Sequence, residues 1–299
     1  MRALVTGGAG FIGSNLVDTL RDVLNWDVTV VDDESAESND VFYWRKDTCN
    51  LKIDITDYPT LIDVCTEVKP DHIFHLAAES RIQPTVERPQ DACKTNVVGT
   101  CNVLQAAREC GARVMYSSTS AAYGLANKPP LREDMPTDCL NPYSVTKVSG
   151  EALCKMYYDL FNVETISFRY FNVYGPRQPI KGQYAPVVGL FMRQKEEGGN
   201  MTVVGNGEQR RDYTHVKDIV QANVLAATCT DDRALGHLFN IGTGTNHSVL
   251  DIVQLLDGKH EFIPARPGEA EATLADNSRA REILGWEPTM TIEDYISSL

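Results

Sequence analysis

The chain has 299 residues, 42% of them hydrophobic and 23% charged, with a net charge of −13. That length supports one large α/β unit or two linked domains with a proper core. The acidic balance, with no basic stripe, argues against nucleic acid as a partner, and no apolar run approaches the roughly 20 residues of a membrane helix.

Ala3–Thr6 is a short, continuously apolar run, the pattern of a parallel strand covered on both faces. It leads into Gly7-Gly8-Ala9-Gly10-Phe11-Ile12-Gly13 and a helix predicted over Phe11–Leu24. Further strands are predicted at Val28–Val31, Ile73–Leu76, Val114–Ser117 and Thr165–Arg169, and helices at Tyr58–Val68, Asp91–Cys110 and Pro142–Phe161. This alternation predicts an α/β fold, a Rossmann-type doubly wound parallel sheet. After about Asn172 glycine and proline become frequent and the segments shorten. A strand at Met201–Val204, a helix at His215–Thr228, a strand at His237–Ile241 and a helix at Val249–Leu256 follow. From His260 the tail reads as loop-rich, with a short helix at Ser278–Leu284. The return of a buried strand implies a smaller, discontinuous C-terminal substrate lobe. The expected division is 1–172 plus 236–258 for the dinucleotide domain and 173–235 plus 259–299 for the lobe.

The first loop is where a dinucleotide is expected. A pyrophosphate needs backbone N–H groups and the positive end of a helix, and Gly7, Gly10 and Gly13 let the backbone approach it, with Phe11 and Ile12 in the first turn. The second strand ends in Asp32, 19 positions past Gly13, the expected place for an acceptor of the ribose 2′-OH. Asp33 and Glu34 follow and would repel a 2′-phosphate, which favours NAD over NADP, although Arg45 and Lys46 stand in the next loop. Asp54 and Ile55 are placed to meet the adenine, and Leu76, Ala77 and Ala78 offer small residues beside the cofactor. Ordinary strand-end packing is the alternative for both groups.

Tyr143 and Lys147 are four residues apart on one predicted helix and share a face. A neighbouring ammonium and the positive nicotinamide would favour phenolate, and the phenolate could act as general base on a sugar or alcohol hydroxyl. Ser117-Ser118-Thr119-Ser120 brings hydroxyls to the same sheet edge, and Thr119 could share the substrate proton. The eight cysteines show neither CxxC spacing nor a zinc-type partnership with histidine, so reduced thiols and no metal are expected. The chain starts without a signal-peptide pattern, and a cytoplasmic location is expected.

With these residues in view, the chain resembles the extended short-chain dehydrogenase/reductases, in their nucleotide-sugar epimerase and dehydratase group. The likeness covers nearly the whole length: TGGAGFIG at 6–13, HLAA at 75–78, TNVVGT with Asn96, YSSTSAAYG at 116–124, YSVTK at 143–147, RYFNVYGPRQ at 169–178, RRDYTHVKD at 210–218 and RPGEAEATLAD at 266–276. It implies that Asn96 and Ser117 join Tyr143 and Lys147 around NAD, and that Tyr143 deprotonates a sugar 4-OH. Related dehydratases and decarboxylases carry an Asp or Glu within two positions of the catalytic threonine; here Ser120 and Ala121 stand there. Related 3,5-epimerases place a cysteine in this segment, which is also missing. What remains is oxidation and re-reduction at C4, a 4-epimerisation; a 4-ketosugar reductase or a dehydratase is the alternative. The resemblance further implies that Asn172 contacts substrate, that Arg211 and Arg266 bind the diphosphate, and that Glu269 holds the nucleotide ribose where the family often has aspartate. Arg211 could instead pair with Asp212 or Glu208. Thr273 stands beside the sugar 2-substituent, and its small size would admit an N-acetyl group. A UDP-hexose or UDP-N-acetylhexosamine substrate and a homodimer built on the helices at Asp91–Cys110 and Pro142–Phe161 are expected.

Overall fold

The computed structural model describes residues 1–36, 41–180, 186–265 and 270–299. Among them, seven parallel strands form one sheet in the order His237–Ile241, Thr165–Tyr170, Arg113–Thr119, His72–His75, Arg2–Thr6, Asp27–Asp32, Cys49–Lys52. The inner strands are buried throughout because helices cover both faces, and this is why they read as unbroken apolar runs. The chain winds outward from Arg2–Thr6 through Asp27–Asp32 to Cys49–Lys52, then crosses back to His72–His75 and winds the other way. The switch therefore falls between Arg2–Thr6 and His72–His75, and ligands of such sheets bind at the carboxyl ends beside it. His75 ties this point together: its buried ring lies between the Thr6 and Thr100 hydroxyls at 2.8 and 2.9 Å.

On one face pack Leu16, Val17 and Leu20 of the helix Phe11–Asp22, with Ile219, Val220, Ala222 and Ala226 of the helix Val216–Thr228 and the fully buried Trp286. On the other lie Leu61 and Cys65 of Tyr58–Val68, Val103 and Leu104 of Thr100–Cys110, and Cys154 and Tyr157 of Pro142–Phe161. A separate cluster, with Tyr174, Phe191, Met201, Tyr213, Ile252, Val253 and Tyr295, forms the core of the smaller lobe.

Three expectations change. The helix Val216–Thr228, assigned by sequence to the lobe, packs on the main sheet, and Val249–Leu255, assigned to the sheet, packs in the lobe. Periodicity shows that a helix has an apolar face but not which core that face meets. The single helix predicted over Asp91–Cys110 is interrupted: α-helix over Pro89–Cys93, one π-helical turn over Lys94–Gly99, then α-helix over Thr100–Cys110. The tail is more regular than it reads, because His260–Ile263 pairs in parallel with Met201–Val204 and a helix forms over Ile292–Ser297. No helix among the described residues is long and apolar enough to cross a membrane.

Candidate active site

The two strand ends at the switch point come so close that only glycine fits between them. Gly7 has φ +69°, and a Cβ there would stand 2.6 Å from the Ala77 nitrogen. A Cβ on Gly13 would stand 2.2 Å from the Gly7 carbonyl oxygen. No side chain caps the helix that starts after Gly10, and its first turn carries no acid, so its leading N–H groups are left for an anionic ligand. The cleft in front of this loop is lined by Gly7, Gly10, Phe11, Ile12, Gly13, Asp32, Ile55, Leu76, Ala77, Ala78, Ser117, Tyr143 and Lys147, all singled out from the sequence. Ser118, from the predicted hydroxyl run, lines it too; Ser80, Arg81, Thr95, Tyr170 and Pro179 also line it and were not singled out. Position at a strand end could have flagged Tyr170, and Thr95 opens the TNVVGT motif; nothing in the sequence marks Ser80, Arg81 or Pro179.

Asp32 ends its strand 8% exposed, accepting the Ala9 N–H at 3.1 Å and the Glu34 N–H at 2.9 Å. Burial pushes its carboxyl above the usual range. One oxygen thus braces the glycine loop, and each keeps a lone pair for a ribose hydroxyl. Arg45 is turned away and bonded to Asp18, Asp22 and Asp47 at 2.8–3.0 Å, while Lys52 pairs with Glu34. The adenosine end is therefore an acidic surface that suits a free 2′-hydroxyl, and with the glycine cradle these residues fit NAD. Two predicted cofactor residues, Asp54 and Asn96, are next to lining residues but not among them. Asp54 is exposed, and its carboxylate accepts the Thr56 N–H at 2.8 Å in a turn. Asn96 is 1% exposed and clamps the Glu79 backbone at 2.8 and 2.9 Å to the Thr146 hydroxyl at 2.9 Å. The π-turn that breaks the predicted helix also carries Asn96 into this clamp.

The helix with the YxxxK pair starts sharply. Asn141 caps the Ser144 N–H at 2.9 Å, Ser144 returns to the Asn141 N–H, and Pro142 takes the first helical position. Tyr143 is thereby fixed half-buried at the cleft, with Lys147 one turn on. Lys147 donates to the Ser117 carbonyl at 2.7 Å, and burial pulls its pKa down to about 8. One more turn along, Glu151 takes two bonds from Arg169 at 2.9 and 2.7 Å and one from the Ser118 hydroxyl. Burial pushes the Tyr143 phenol up; the Thr119 hydroxyl and the Arg81 guanidinium pull it down. The lowering charge expected from the sequence was Lys147. Its ammonium is turned to the Ser117 carbonyl, and the Arg81 guanidinium adds a lowering charge of its own. The Thr119 oxygen, beside the Tyr143 phenol, also accepts the Ala121 N–H at 3.1 Å.

Two residues past Tyr170, the chain enters a second cluster. Asn172, with φ +23°, donates to the Asp212 carbonyl at 2.9 Å and to the Thr273 hydroxyl at 3.4 Å. Arg211 donates to the Arg210 and Ala270 carbonyls at 2.9 and 2.8 Å. Asn172, Arg211 and Thr273 thus come together; Arg266 and Glu269 lie outside the described residues. Their hub is Asp212, which sequence reasoning treated only as a partner for Arg211. Its buried carboxylate accepts the N–H groups of Thr243, Gly244 and Ala275 and the Thr243 hydroxyl, at 2.8–3.0 Å.

A parallel sheet with a dinucleotide cradle at its switch point and a Tyr/Lys pair on the adjoining helix defines a nucleotide-dependent enzyme of the short-chain dehydrogenase/reductase type. The chain belongs to the GDP-mannose 4,6 dehydratase family, whose pattern matches residues 4–299. It is 37% identical to UDP-glucose 4-epimerase of Mycolicibacterium smegmatis, over 99% of this chain and 96% of that protein. The crystal structure of Thermotoga maritima UDP-glucose 4-epimerase with UDP-glucose matches with a TM-score of 0.93 at 32% identity, covering 99% of this chain and 96% of that one. Thermus thermophilus UDP-glucose 4-epimerase in complex with NAD matches with a TM-score of 0.88 at 29% identity, covering 99% and 96%.

Proposed function

We propose that this protein is an NAD-dependent 4-epimerase of a UDP-linked sugar, working in the cytoplasm as a homodimer. The observation that carries the reaction type is the strand end after Thr119. Ser120 and Ala121 offer no acid, and the carboxylate that does reach this strand, Glu151, is taken up by Arg169 and Ser118. Elimination of water or loss of a carboxylate therefore lacks a catalyst, whereas proton transfer at C4 has one. Tyr143 as phenolate takes the proton of the sugar 4-OH, Thr119 bonds the same hydroxyl, and Lys147 holds the base and the strand end in register. NAD, when bound at the glycine loop, supplies the acceptor and then the donor of hydride. After the 4-keto sugar turns over, Tyr143 returns the proton to the new hydroxyl. Arg211 and Arg266 hold the diphosphate, whose oxygens suit a planar, permanently charged guanidinium, Asn172 contacts the sugar and Glu269 the ribose. Thr273, small and fixed by its bonds to Asp212 and Asn172, leaves space for an N-acetyl group. All eight cysteines are free thiols, as a reducing compartment requires.

The test is NMR of the purified protein with UDP-glucose, UDP-N-acetylglucosamine, UDP-glucuronate and their C4 epimers, without added nucleotide. Interconversion at C4 is expected, with the N-acetylated pair among the substrates. A 4-keto-6-deoxy product, or turnover seen only in a parallel sample given NADH and consuming it in stoichiometric amount, would overturn the epimerase reading.

A further inference from the structure

The segment after the short strand Val173–Tyr174 crosses back onto the first helix of the sheet. The Pro176 carbonyl accepts the Asn15 amide at 3.1 Å. Arg177, in a left-handed conformation with φ 68°, brings its guanidinium within 2.6 Å of the Asp18 carboxylate. The same guanidinium lies 5.0 Å from the centre of the Tyr43 ring. Two residues further on, Pro179 reaches the wall of the cleft with Phe11. Tyr43 arrives from the opposite side: its N–H donates to the Ala9 carbonyl of the glycine loop at 2.8 Å. From the same loop, Arg45 bonds the other Asp18 oxygen at 3.0 Å. Phe11, Asn15 and Asp18 fall on one face of the helix at spacings of four and three, so both segments meet along the face that leads out of the cleft.

We infer that Arg177, closing onto Asp18 and Tyr43, is a latch across the cofactor cleft that sets how slowly NAD leaves. The inference rests on the NAD reading above and adds a means of retention to it. A dinucleotide seated on the glycine loop has the Ala9–Tyr43 backbone bond on one side and the Pro176–Pro179 segment on the other. To leave, it must part the Arg177–Asp18 ion pair, which ties this segment to the first helix, and the Arg177–Tyr43 cation–π contact, which ties it to a segment 134 residues away. Both contacts are modest, but both are partly shielded from water, and together they are worth about tenfold in a rate. A gain of this kind appears in the off-rate, because the latch does not hinder an encounter with the open form. A 4-epimerase uses its cofactor as a resident catalyst, so slow release suits the chemistry.

The experiment takes the enzyme as purified and dilutes it into excess alcohol dehydrogenase and ethanol, so that each released NAD is read as NADH absorbance. Wild-type enzyme is expected to release NAD slowly, Arg177→Ala about tenfold faster, and Tyr43→Ala by a smaller factor. The double variant should release no faster than Arg177→Ala, because one latch is opened in each, and Arg177→Lys should restore part of the retention. Thermal unfolding of the stripped variants separates the latch from general loosening: midpoints should match that of stripped wild type. Release from Arg177→Ala within twofold of wild type overturns the latch, as does a multiplicative double variant or an unfolding midpoint lowered in step with faster release. Wild-type enzyme that neither carries nor binds NAD overturns the cofactor reading itself, an outcome distinct from unchanged release.

Discussion

Lys147 is 4% exposed with its ammonium on the Ser117 carbonyl, and its pKa falls to about 8. A folded-state value below the unfolded 10.5 means that the unfolded chain binds more protons between pH 8 and 10.5, so stability should rise with pH across that window. The burden at neutral pH is roughly 3 kcal/mol. Lys147→Met should therefore unfold at higher urea than wild type at pH 7, lose the gain between pH 8 and 10.5, and lose activity; a variant less stable at pH 7 would contradict this. Arg81 acts on the base. Removing its charge withdraws support from the Tyr143 phenolate, whose pKa should rise further. The acidic limb of the kcat profile should then move to higher pH in Arg81→Met and return toward wild type in Arg81→Lys; an unmoved limb would show that Arg81 does not govern the base. The Tyr143–Lys147 pair was legible because four-residue spacing fixes a common helical face. Arg81 was not, since nothing in the local sequence says that the loop after His75 turns toward that helix. The clamp made by Asn96 was not legible for a related reason: its partners Glu79 and Thr146 lie 17 and 50 residues away, beyond any local pattern.

At the scale of elements, strands and helices with strong period or continuity were read nearly to their observed ends, Tyr58–Val68 and Pro142–Phe161 among them. The π-turn at Lys94–Gly99 escaped because an inserted residue leaves apolar periodicity almost unchanged over one turn. It lies where Gly99 meets Ile55, with a Cβ at Gly99 only 2.6 Å from the Ile55 side chain. Val98 on this turn and Val145 on the neighbouring long helix remain about half exposed, and Leu160 more so. Such apolar residues on adjoining helices suit burial against a second copy. Val145→Glu is expected to convert a dimer to a monomer in light scattering; a wild-type protein that is already monomeric at micromolar concentration would remove the dimer proposal.

For the whole molecule, the parallel sheet and its ligand edge could be read from alternation alone, but the lobe boundary could not, because helices at 216–228 and 249–255 exchange cores. The tail shows what closes the fold. Trp286 is fully buried and donates to the Asp218 carbonyl at 2.8 Å, and the Asp218 carboxylate accepts the Thr289 and Met290 N–H groups. Trp286→Ala should cost about 3–5 kcal/mol in denaturant unfolding, and a loss below 1 kcal/mol would mean that the tail is not part of the main core. Asp212 has a different kind of reach. Its carboxylate gathers partners 31 and 63 positions further along, at Thr243 and Ala275. On the ribosome, the Asp212 cluster, proposed to face the sugar, stays unmade until residue 275 has left the exit tunnel, long after the glycine loop has been synthesised. A nascent chain would hold its cofactor cradle well before it had anywhere to put a substrate.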